Sequence, residues 1–190
     1  MEKNIIYFER KGGVNTTKTL EAARKRAEEL GIRDVVVATT HGGTALKAAD
    51  VFGDMKVNLV AVTISEAFQE EGWVMTAEER KKLQDKGVTV LTCLHSLGDN
   101  VATAFTEKSG GVSIEAIVRE TLYRFSQGMK VCVEIVLMAA DAGLINVDRE
   151  VMALGGTSSG TDTAIVVKPS HSKNFTDLEI REIIAKPRIP

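Results

Sequence analysis

Short apolar runs that alternate with segments of helical spacing constrain the fold of this chain more than any other feature. The predicted strands lie at residues 4–8, 34–38, 56–63 and 88–92. Runs this continuous in Val and Ile indicate strands that are buried on both faces, and the alternation with helices is typical of a mainly parallel sheet. We therefore expect an α/β protein with three layers.

Capping residues and glycines predict where the helices begin and end. Asn15 opens the first helix and Gly31 ends it, while a Thr-x-x-Glu capping box at Thr76 opens the third. The other predicted helices are residues 44–52, closed by Gly53, residues 113–125, with Ser113 as the cap, and a more buried helix at residues 129–143, separated from the preceding one by Gly128.

The rest of the chain departs from this alternation. Residues 93–112 predict a long loop that holds one short helix, a length more typical of functional or mobile loops than of plain connections. Residues 148–154 and 162–169 predict a C-terminal antiparallel hairpin, and residues 179–184 predict a half-exposed edge strand. We see no repeat, low-complexity segment or linker, so residues 1–190 are expected to form a single domain.

Composition and charge exclude several classes of partner. The formal net charge is -2, and the charged residues, 26% of the chain, are mixed along it, so we expect no nucleic-acid partner. No apolar stretch has the length of a membrane span, and the apolar run near the N-terminus is too short for a signal peptide. Cys93 and Cys132 lie in apolar runs, which favours reduced, packed thiols. We therefore expect a soluble, cytoplasmic protein.

The segment Thr-Thr-His-Gly-Gly-Thr, between the second strand and the second helix, has the composition of an anion-binding loop. In open α/β sheets, ligands bind at the carboxyl ends of strands, where a helix N-terminus presents unpaired N–H groups. Glycines let the backbone approach a phosphate, and threonine hydroxyls donate to its oxygens. An ordinary turn with Thr44 as the helix N-cap is the alternative. The candidate ligands are Thr39, Thr40, His41, Gly42, Gly43 and Thr44.

A second loop with the same chemistry joins the two strands of the predicted hairpin. Its residues are Gly155, Gly156, Thr157, Ser158, Ser159, Gly160 and Thr161. Such a segment also suits a flexible hairpin, so it supports a phosphate site only if the sheet brings both loops to one edge, with Lys47 or Lys168 nearby if the geometry allows. Asn15 and Thr16 should face the same side of the sheet, either as helix caps or as ligand contacts.

The catalytic candidates are weak. His41 suits phosphate binding or acid–base chemistry, His95 follows the fourth strand towards the same crevice, and His171 fits a surface position. Glu134 stands in an apolar helix, where an ion pair with Lys130 one turn earlier explains it without chemistry. Scattered histidines without carboxylates at ligand spacing predict no metal site.

Two stretches resemble the C-terminal α/β domain of pyruvate kinases. VVVATTHGGTALKAADVFGDMKVNLVAVT, residues 35–63, is similar to the strand, Thr-x-[Ser/Thr]-Gly-x-[Ser/Thr]-Ala loop, helix and strand in that domain. GGTSSGTDTAIVV resembles its final Gly-rich loop and strand. The stretches NTTKTL, VVATTHGGTA, KVCVEIVLMAADAGLI and GGTSSGTDTA extend the resemblance to stand-alone prokaryotic proteins similar to this domain.

This resemblance implies a flavodoxin-like three-layer sandwich and a site in which both loops embrace the phosphates of a sugar bisphosphate. It implies no pyruvate kinase activity, because the sequence has neither the barrel nor the metal and nucleotide sites of those enzymes. Gly43 stands where pyruvate kinases usually carry Arg or Asn, and the last loop lacks their Trp-Arg-Pro segment. A sugar bisphosphate would therefore lose its charged contacts.

The first loop also resembles the flavodoxin phosphate loop, [Ser/Thr]-x-Thr-Gly-x-Thr, at Thr39, Gly42 and Thr44, with His41 in place of the middle Thr. That pattern binds flavin mononucleotide (FMN) through its single phosphate. One uncharged loop suits a monophosphate better than a bisphosphate, so we favour FMN, or another nucleotide-like monophosphate, as the ligand.

Two aromatic residues bear on this preference. Phe68 or Trp73, which follow the third strand, would stack on an isoalloxazine or pack against the sheet edge. Two alternative functions stay open: a flavin-dependent or phosphoester enzyme, and a sugar-phosphate-sensing module that forms homo-oligomers.

Overall fold

The computed structural model describes residues 2–189, which form one seven-stranded sheet between two helical layers. The strands are β1 (Ile6–Phe8), β2 (Asp34–Ala38), β3 (Asn58–Thr63), β4 (Thr89–Thr92), β5 (Val151–Gly155), β6 (Thr163–Lys168) and β7 (Glu179–Pro187). The helices are α1 (Thr16–Leu30), α2 (Gly43–Phe52), α3 (Ala77–Asp85), α4 (Val101–Ser109), α5 (Ile114–Tyr123) and α6 (Gln127–Asp141). Short 3-10 helices lie at Gly13–Asn15, Glu66–Phe68 and Ser172–Asp177. The predicted three-layer α/β class is confirmed.

The sheet has the strand order β1-β7-β6-β5-β2-β3-β4. The pairs β5–β2, β2–β3, β3–β4 and β1–β7 are parallel, whereas β5–β6 and β6–β7 are antiparallel, as predicted for a mostly parallel sheet with a C-terminal hairpin. From β2 the chain moves outward to β3 and β4 and then returns to the other side of β2 as β5. The boundary between β2 and β5 is therefore a topological switch point, the place where open α/β sheets bind ligands.

Side chains of β2 point alternately into two separate cores. Val35 and Val37 pack in a core with residues of α1, α2 and α3, whereas Val36 packs in a second core with α6. All three valines are fully buried. Burial on both faces explains why the sequence of β2 is a continuous run of apolar residues instead of an alternating one.

Local signals placed most element ends correctly. The capping box is present, with the Thr76 hydroxyl accepting from Glu79 N and the Glu79 carboxylate accepting from Thr76 N. Gly31 adopts the left-handed conformation after α1, and Ser113 caps α5. The short helix expected in the loop of residues 93–112 is α4. None of the helices in residues 2–189 has both the length and the apolar character needed to cross a membrane.

Two sequence-based predictions need correction. Gly128 does not separate two helices, because it lies inside α6, whose N-cap is Ser126. A Cβ at this position would stand 2.3 Å from Oγ1 of Thr163, so the glycine allows close packing of α6 on β6. The final strand, β7, is half-exposed at its start as expected, but it continues to Pro187, and β1 covers its last three residues.

Candidate functional site

A crevice of about 1040 Å³ opens at the carboxyl ends of β2 and β5. Val37 of β2 is in register with Leu154 of β5, so the loops that follow these strands leave the sheet side by side. Both Gly/Ser/Thr-rich loops line the crevice, together with residues that follow β3 and β4 and one face of α6. The sheet therefore brings both loops to one edge, as the sequence-based hypothesis of a shared phosphate site requires.

The N-terminus of α2 lies in this crevice without a capping side chain. Gly42 is the N-cap residue in the left-handed conformation (φ 83°), and Gly43 and Thr44 line the crevice. The alternative in which Thr44 caps the helix is therefore wrong. The first N–H groups of a helix have no intrahelical acceptor, so those of α2 are available to a ligand.

The helix caps divide the six helices of residues 2–189 into two groups. Side chains of Thr76, Asn100, Ser113 and Ser126 cap α3, α4, α5 and α6. By contrast, α2 and the 3-10 turn that leads into α1 have no side-chain cap, and both begin at the crevice. The helices without a side-chain cap are thus the ones that begin at the crevice.

Thr39 has a hydroxyl that makes no hydrogen bond with the residues that the structure describes. The residue is only 8% exposed and lines the crevice. Its backbone N–H donates to the Val62 carbonyl at 3.0 Å, which fixes the start of the loop to β3. Its oxygen is not fully enclosed by protein, unlike the unpaired Oγ1 atoms of Thr19 and Thr157, so a ligand in the crevice can reach it.

The second loop and the residue after it are held against the N-terminal segment by one part-buried and one buried hydrogen bond. The Gly12 N–H donates to the Asp162 carboxylate at 2.7 Å, and the Thr161 N–H donates to Oγ1 of Thr16 at 3.1 Å. Gly160 is in the left-handed region (φ 68°), and a Cβ there would stand 2.3 Å from Oγ1 of Thr16. The loop is therefore a packed element and not a flexible hairpin turn.

Most of the candidate residues lie in the crevice. Those lining it are Thr16, Thr39, Thr40, His41, Gly43, Thr44, His95, Glu134, Gly156, Ser158, Ser159 and Gly160. The candidates that do not line it are Asn15, Gly42, Gly155, Thr157 and Thr161. Asn15 donates to the carbonyls of Arg10 and Gly12, so it braces the N-terminal segment instead of capping α1. The Thr161 hydroxyl donates to the Gly155 carbonyl at 2.6 Å.

Aromatic rings form one wall of the crevice. Phe68 stacks on Trp73 and on His95, with ring centroids 5.8 Å apart in each pair. Nδ1 of His95 lies 2.9 Å from Oδ2 of Asp99, which has a left-handed backbone (φ 53°). A carboxylate at Nδ1 orients an imidazole and leaves Nε2 for another partner.

Lys130 and Glu134 form a buried ion pair that also lines the crevice. Nζ of Lys130 is 2.5 Å from Oε2 of Glu134, and the other carboxylate oxygen accepts from the Leu97 N–H at 3.1 Å. Glu134 therefore forms the ion pair with Lys130 and also lines the crevice, so the two interpretations of this residue do not exclude each other. Within residues 2–189 no cluster of His, Cys, Asp and Glu has a composition and spacing suited to a metal ion.

His41 contacts Glu79 in the first turn of α3. Its Nδ1 lies 3.3 Å from Oε2 of Glu79, while part of the residue still lines the crevice. The pKa of Glu79 lies below its ordinary value mainly because the Thr76 N–H donates to this carboxylate, and the hydrogen bond with His41 acts in the same direction. His171 lies away from the crevice, beside Asp141.

Sequence reasoning missed part of the crevice wall. Gly13, Gln127 and Met138 line it, and Asp162 braces it from behind. The sequence held one signal for this wall: Lys130 and Glu134 are charged residues in the otherwise apolar α6, and they lie on the helix face that lines the crevice. Of the two lysines considered, Lys47 lines the crevice, whereas Lys168 pairs with Glu179 elsewhere. Burial raises the pKa of the Cys132 thiol, in keeping with a packed, unreactive cysteine.

Fold and site together define a class: an α/β domain with a ligand crevice at the switch point of its sheet, bordered by two Gly/Ser/Thr-rich loops and an uncapped helix N-terminus. A comparison with protein families agrees. Residues 17–167 match the model of the family described as "Pyruvate kinase, alpha/beta domain". The chain belongs to this family.

Proposed function

We propose that the protein binds a phosphorylated small molecule, with its phosphate at the N-terminus of α2 and with FMN as the preferred ligand. The observation that carries the proposal is that the uncapped N-terminus of α2 lines the same crevice as the Thr39 hydroxyl, which makes no hydrogen bond with the described residues. A phosphate supplies the acceptor that both groups lack, and the helix dipole favours its negative charge. Ser158 and Ser159 line the crevice from the opposite loop and offer further donors.

Charge supports a monophosphate. Lys47, in the first turns of α2, lines the crevice and makes no ion pair with the residues that the structure describes. Lys130 also lines the crevice, but its ammonium group is committed to Glu134. One available lysine and one helix N-terminus match a single phosphate better than two.

The shape and lining of the crevice support an aromatic group on the ligand. The volume of about 1040 Å³ is slightly above the roughly 300–1,000 Å³ that is usual for ligand pockets, so a mononucleotide fits. Phe68, Trp73 and His95 line the same crevice and present π-faces or edges to its contents. An isoalloxazine ring would gain stacking contacts there.

The test compares two ligands that differ only in the phosphate. Trp73 is the single tryptophan of the chain and lies in the crevice wall, so its fluorescence reports occupancy. We expect FMN to bind at least about tenfold more tightly than riboflavin, because charge-assisted hydrogen bonds contribute about 1.5–3 kcal/mol. Equal affinities would overturn the phosphate site. Binding of a sugar phosphate without binding of FMN would overturn the flavin preference and leave the phosphate site standing.

A second measurement needs no assumed ligand. Mass spectrometry of the small molecules that heat denaturation releases from freshly purified protein identifies what is retained, and an absorbance spectrum of the intact protein reveals a flavin. Release of FMN from a yellow protein supports the proposal. Release of a sugar phosphate from a colourless protein would instead support the alternative function, a sugar-phosphate-sensing module.

Acid–base catalysis on the bound ligand is a second candidate function, favoured by His95. Its Nδ1 is held by Asp99 at 2.9 Å, and the residue lines the crevice. A histidine oriented in this way suits proton transfer to or from a bound ligand. Turnover of a phosphoester, or of reduced nicotinamide in the presence of flavin, that is lost in His95→Gln while ligand affinity is kept would establish this activity.

A further inference from the structure

The ion pair of Lys130 and Glu134 has hydrogen-bonding capacity that the protein does not use. An ammonium group has three N–H donors, and a carboxylate has about four acceptor positions. Within residues 2–189, Glu134 is the only hydrogen-bond partner of the Lys130 ammonium, and the carboxylate accepts from this group and from the Leu97 N–H. Two donors and part of the acceptor capacity are therefore left over.

Burial makes this unused capacity significant. Lys130 is 8% exposed and Glu134 is 5% exposed, and both residues line the crevice from α6. Taking two charges out of water is costly unless their remaining donors and lone pairs are also satisfied. A ligand in the crevice can supply the missing hydrogen bonds.

Charge indicates what kind of group the pair would bind. The positive and negative charges compensate each other, so a charged group on a ligand gains no net attraction from them. The pair instead presents a donor beside an acceptor. Its complement is a neutral group that offers an acceptor beside a donor.

The ion pair adjoins the aromatic wall of the crevice. The Leu97 N–H donates to Oε1 of Glu134 at 3.1 Å. Two residues before Leu97, the ring of His95 stacks on Phe68, which in turn stacks on Trp73. A flat ring that packs against this wall would bring its polar edge towards the ion pair.

The start of α6 lies at the other side of the crevice, beside the second loop. Oγ of its N-cap Ser126 is 3.1 Å from Oγ1 of Thr163, two residues after that loop. Glu134 follows Gln127, the first residue of α6, by seven positions, about 10 Å along the helix axis. The ion pair is therefore set apart from the loop that offers donors to a phosphate and suits the opposite end of a ligand.

We propose that Lys130 and Glu134 together recognise a cyclic lactam on the ligand, which is a ring edge with a carbonyl next to an N–H group. The ammonium donates to the carbonyl, and the carboxylate accepts from the N–H. The inference rests on the proposed function, which places a phosphorylated ligand in the crevice. Isoalloxazine, uracil and hypoxanthine have such an edge, whereas cytosine and adenine have the inverse one, an acceptor nitrogen next to an amino group. A site with buried polar groups discriminates against a ligand that leaves them unpaired.

Isothermal titration calorimetry with matched monophosphates tests the proposal. Uridine and cytidine monophosphate differ in this edge and share their phosphate and ribose, as do inosine and adenosine monophosphate. A third pair is FMN and its 3-methyl derivative, in which a methyl group replaces the lactam hydrogen. Within each pair that binds, we expect the lactam member to bind at least about tenfold more tightly, because hydrogen bonds to charged groups are the strong ones.

Two variants locate the source of this preference. Lys130→Met/Glu134→Gln should abolish it, because neither the ammonium donor nor the carboxylate acceptor is left. Lys47→Met is the matched control, since Lys47 lines the crevice from α2, where the phosphate is proposed to bind. It should weaken both members of a pair alike and keep their ratio. Circular dichroism checks that both variants are folded.

The outcomes separate this inference from the proposed function. Equal or reversed affinities in every pair would overturn the inference, as would a preference that survives in Lys130→Met/Glu134→Gln. Binding of sugar phosphates without binding of any nucleotide or flavin would also overturn it and leave the phosphate site standing. Conversely, a lactam preference with equal affinities for FMN and riboflavin would support the inference and overturn the phosphate site. Absence of binding by all of these ligands would overturn both.

Discussion

Nζ of Lys130 lies 2.5 Å from Oε2 of Glu134, and both side chains are buried where α6 forms a wall of the crevice. The other oxygen of Glu134 accepts from the Leu97 N–H, so a single carboxylate ties α6 to the segment that carries His95. Both the stability of this wall and the position of the segment depend on the pair.

Glu134→Gln should lower the free energy of unfolding by about 3 kcal/mol, because it leaves the buried ammonium of Lys130 without its counter-charge. Lys130→Met should also destabilise. The double variant Lys130→Met/Glu134→Gln should lose at least about 1 kcal/mol less than the sum of the single losses, since it removes both buried charges. Urea unfolding at pH 7 of the four proteins measures this coupling, and additive losses would contradict it.

Thr44→Val should weaken FMN binding by about fivefold to tenfold, the equivalent of one neutral hydrogen bond of about 1 kcal/mol. Riboflavin affinity should not change, because in the proposed binding mode the lost hydroxyl contacts only the phosphate. Thr17→Val is the control, since Thr17 is exposed on α1 and does not line the crevice. Fluorescence titration of both variants with both ligands makes the comparison. An unchanged FMN affinity in Thr44→Val would count against the phosphate position.

Gly160→Ala should destabilise the protein by about 2–3 kcal/mol, from a left-handed alanine and from overpacking. The added Cβ would stand 2.3 Å from Oγ1 of Thr16 and 2.6 Å from the Cα of Gly13. Gly43→Ala is the matched control, because a Cβ at Gly43 has no neighbour within 4 Å. Thermal unfolding should show a lower Tm for Gly160→Ala alone. Equal Tm values would mean that the second loop shifts to accommodate the methyl group without loss of stability.

Acid should destabilise the protein partly through Glu182. Nε and Nη2 of Arg26 donate to its carboxylate at 2.7 and 2.6 Å, and this contact is the main reason that the pKa of Glu182 lies below its ordinary value. A carboxyl whose pKa is lower in the folded state stabilises the fold above its unfolded pKa of about 4.3, and this contribution is lost as pH falls through the folded pKa.

Glu182→Gln should therefore lose stability at pH 7 and show a flatter fall in stability below about pH 4.3 than the wild-type protein. Arg26→Met removes the cause of the lowered pKa and should flatten the same pH window. Urea unfolding at a series of pH values measures both slopes. If the unfolding free energy of Glu182→Gln fell with pH as steeply as that of the wild-type protein, other carboxylates would be the cause of the acid destabilisation.

Local sequence patterns were sufficient to predict the elements and layers of the fold. The observed bounds of β2, Asp34–Ala38, equal the predicted ones, and the capping box at Thr76 marks the start of α3. These signals act between residues no more than four positions apart, through helical hydrogen bonds, caps and the periodicity of burial. They also place the Thr-Thr-His-Gly-Gly-Thr loop at the end of a strand.

The crevice itself was decided by tertiary structure. The register of Val37 with Leu154 places both loops at one edge of the sheet, and the hydrogen bond from Thr161 to Thr16 holds the second loop against α1. Gly128 has the local character of a helix breaker, but it lies inside α6, where any Cβ would clash with Thr163 of β6. Each of these contacts joins residues distant in sequence, and no local pattern carries them, because their free energy exists only once the sheet has formed.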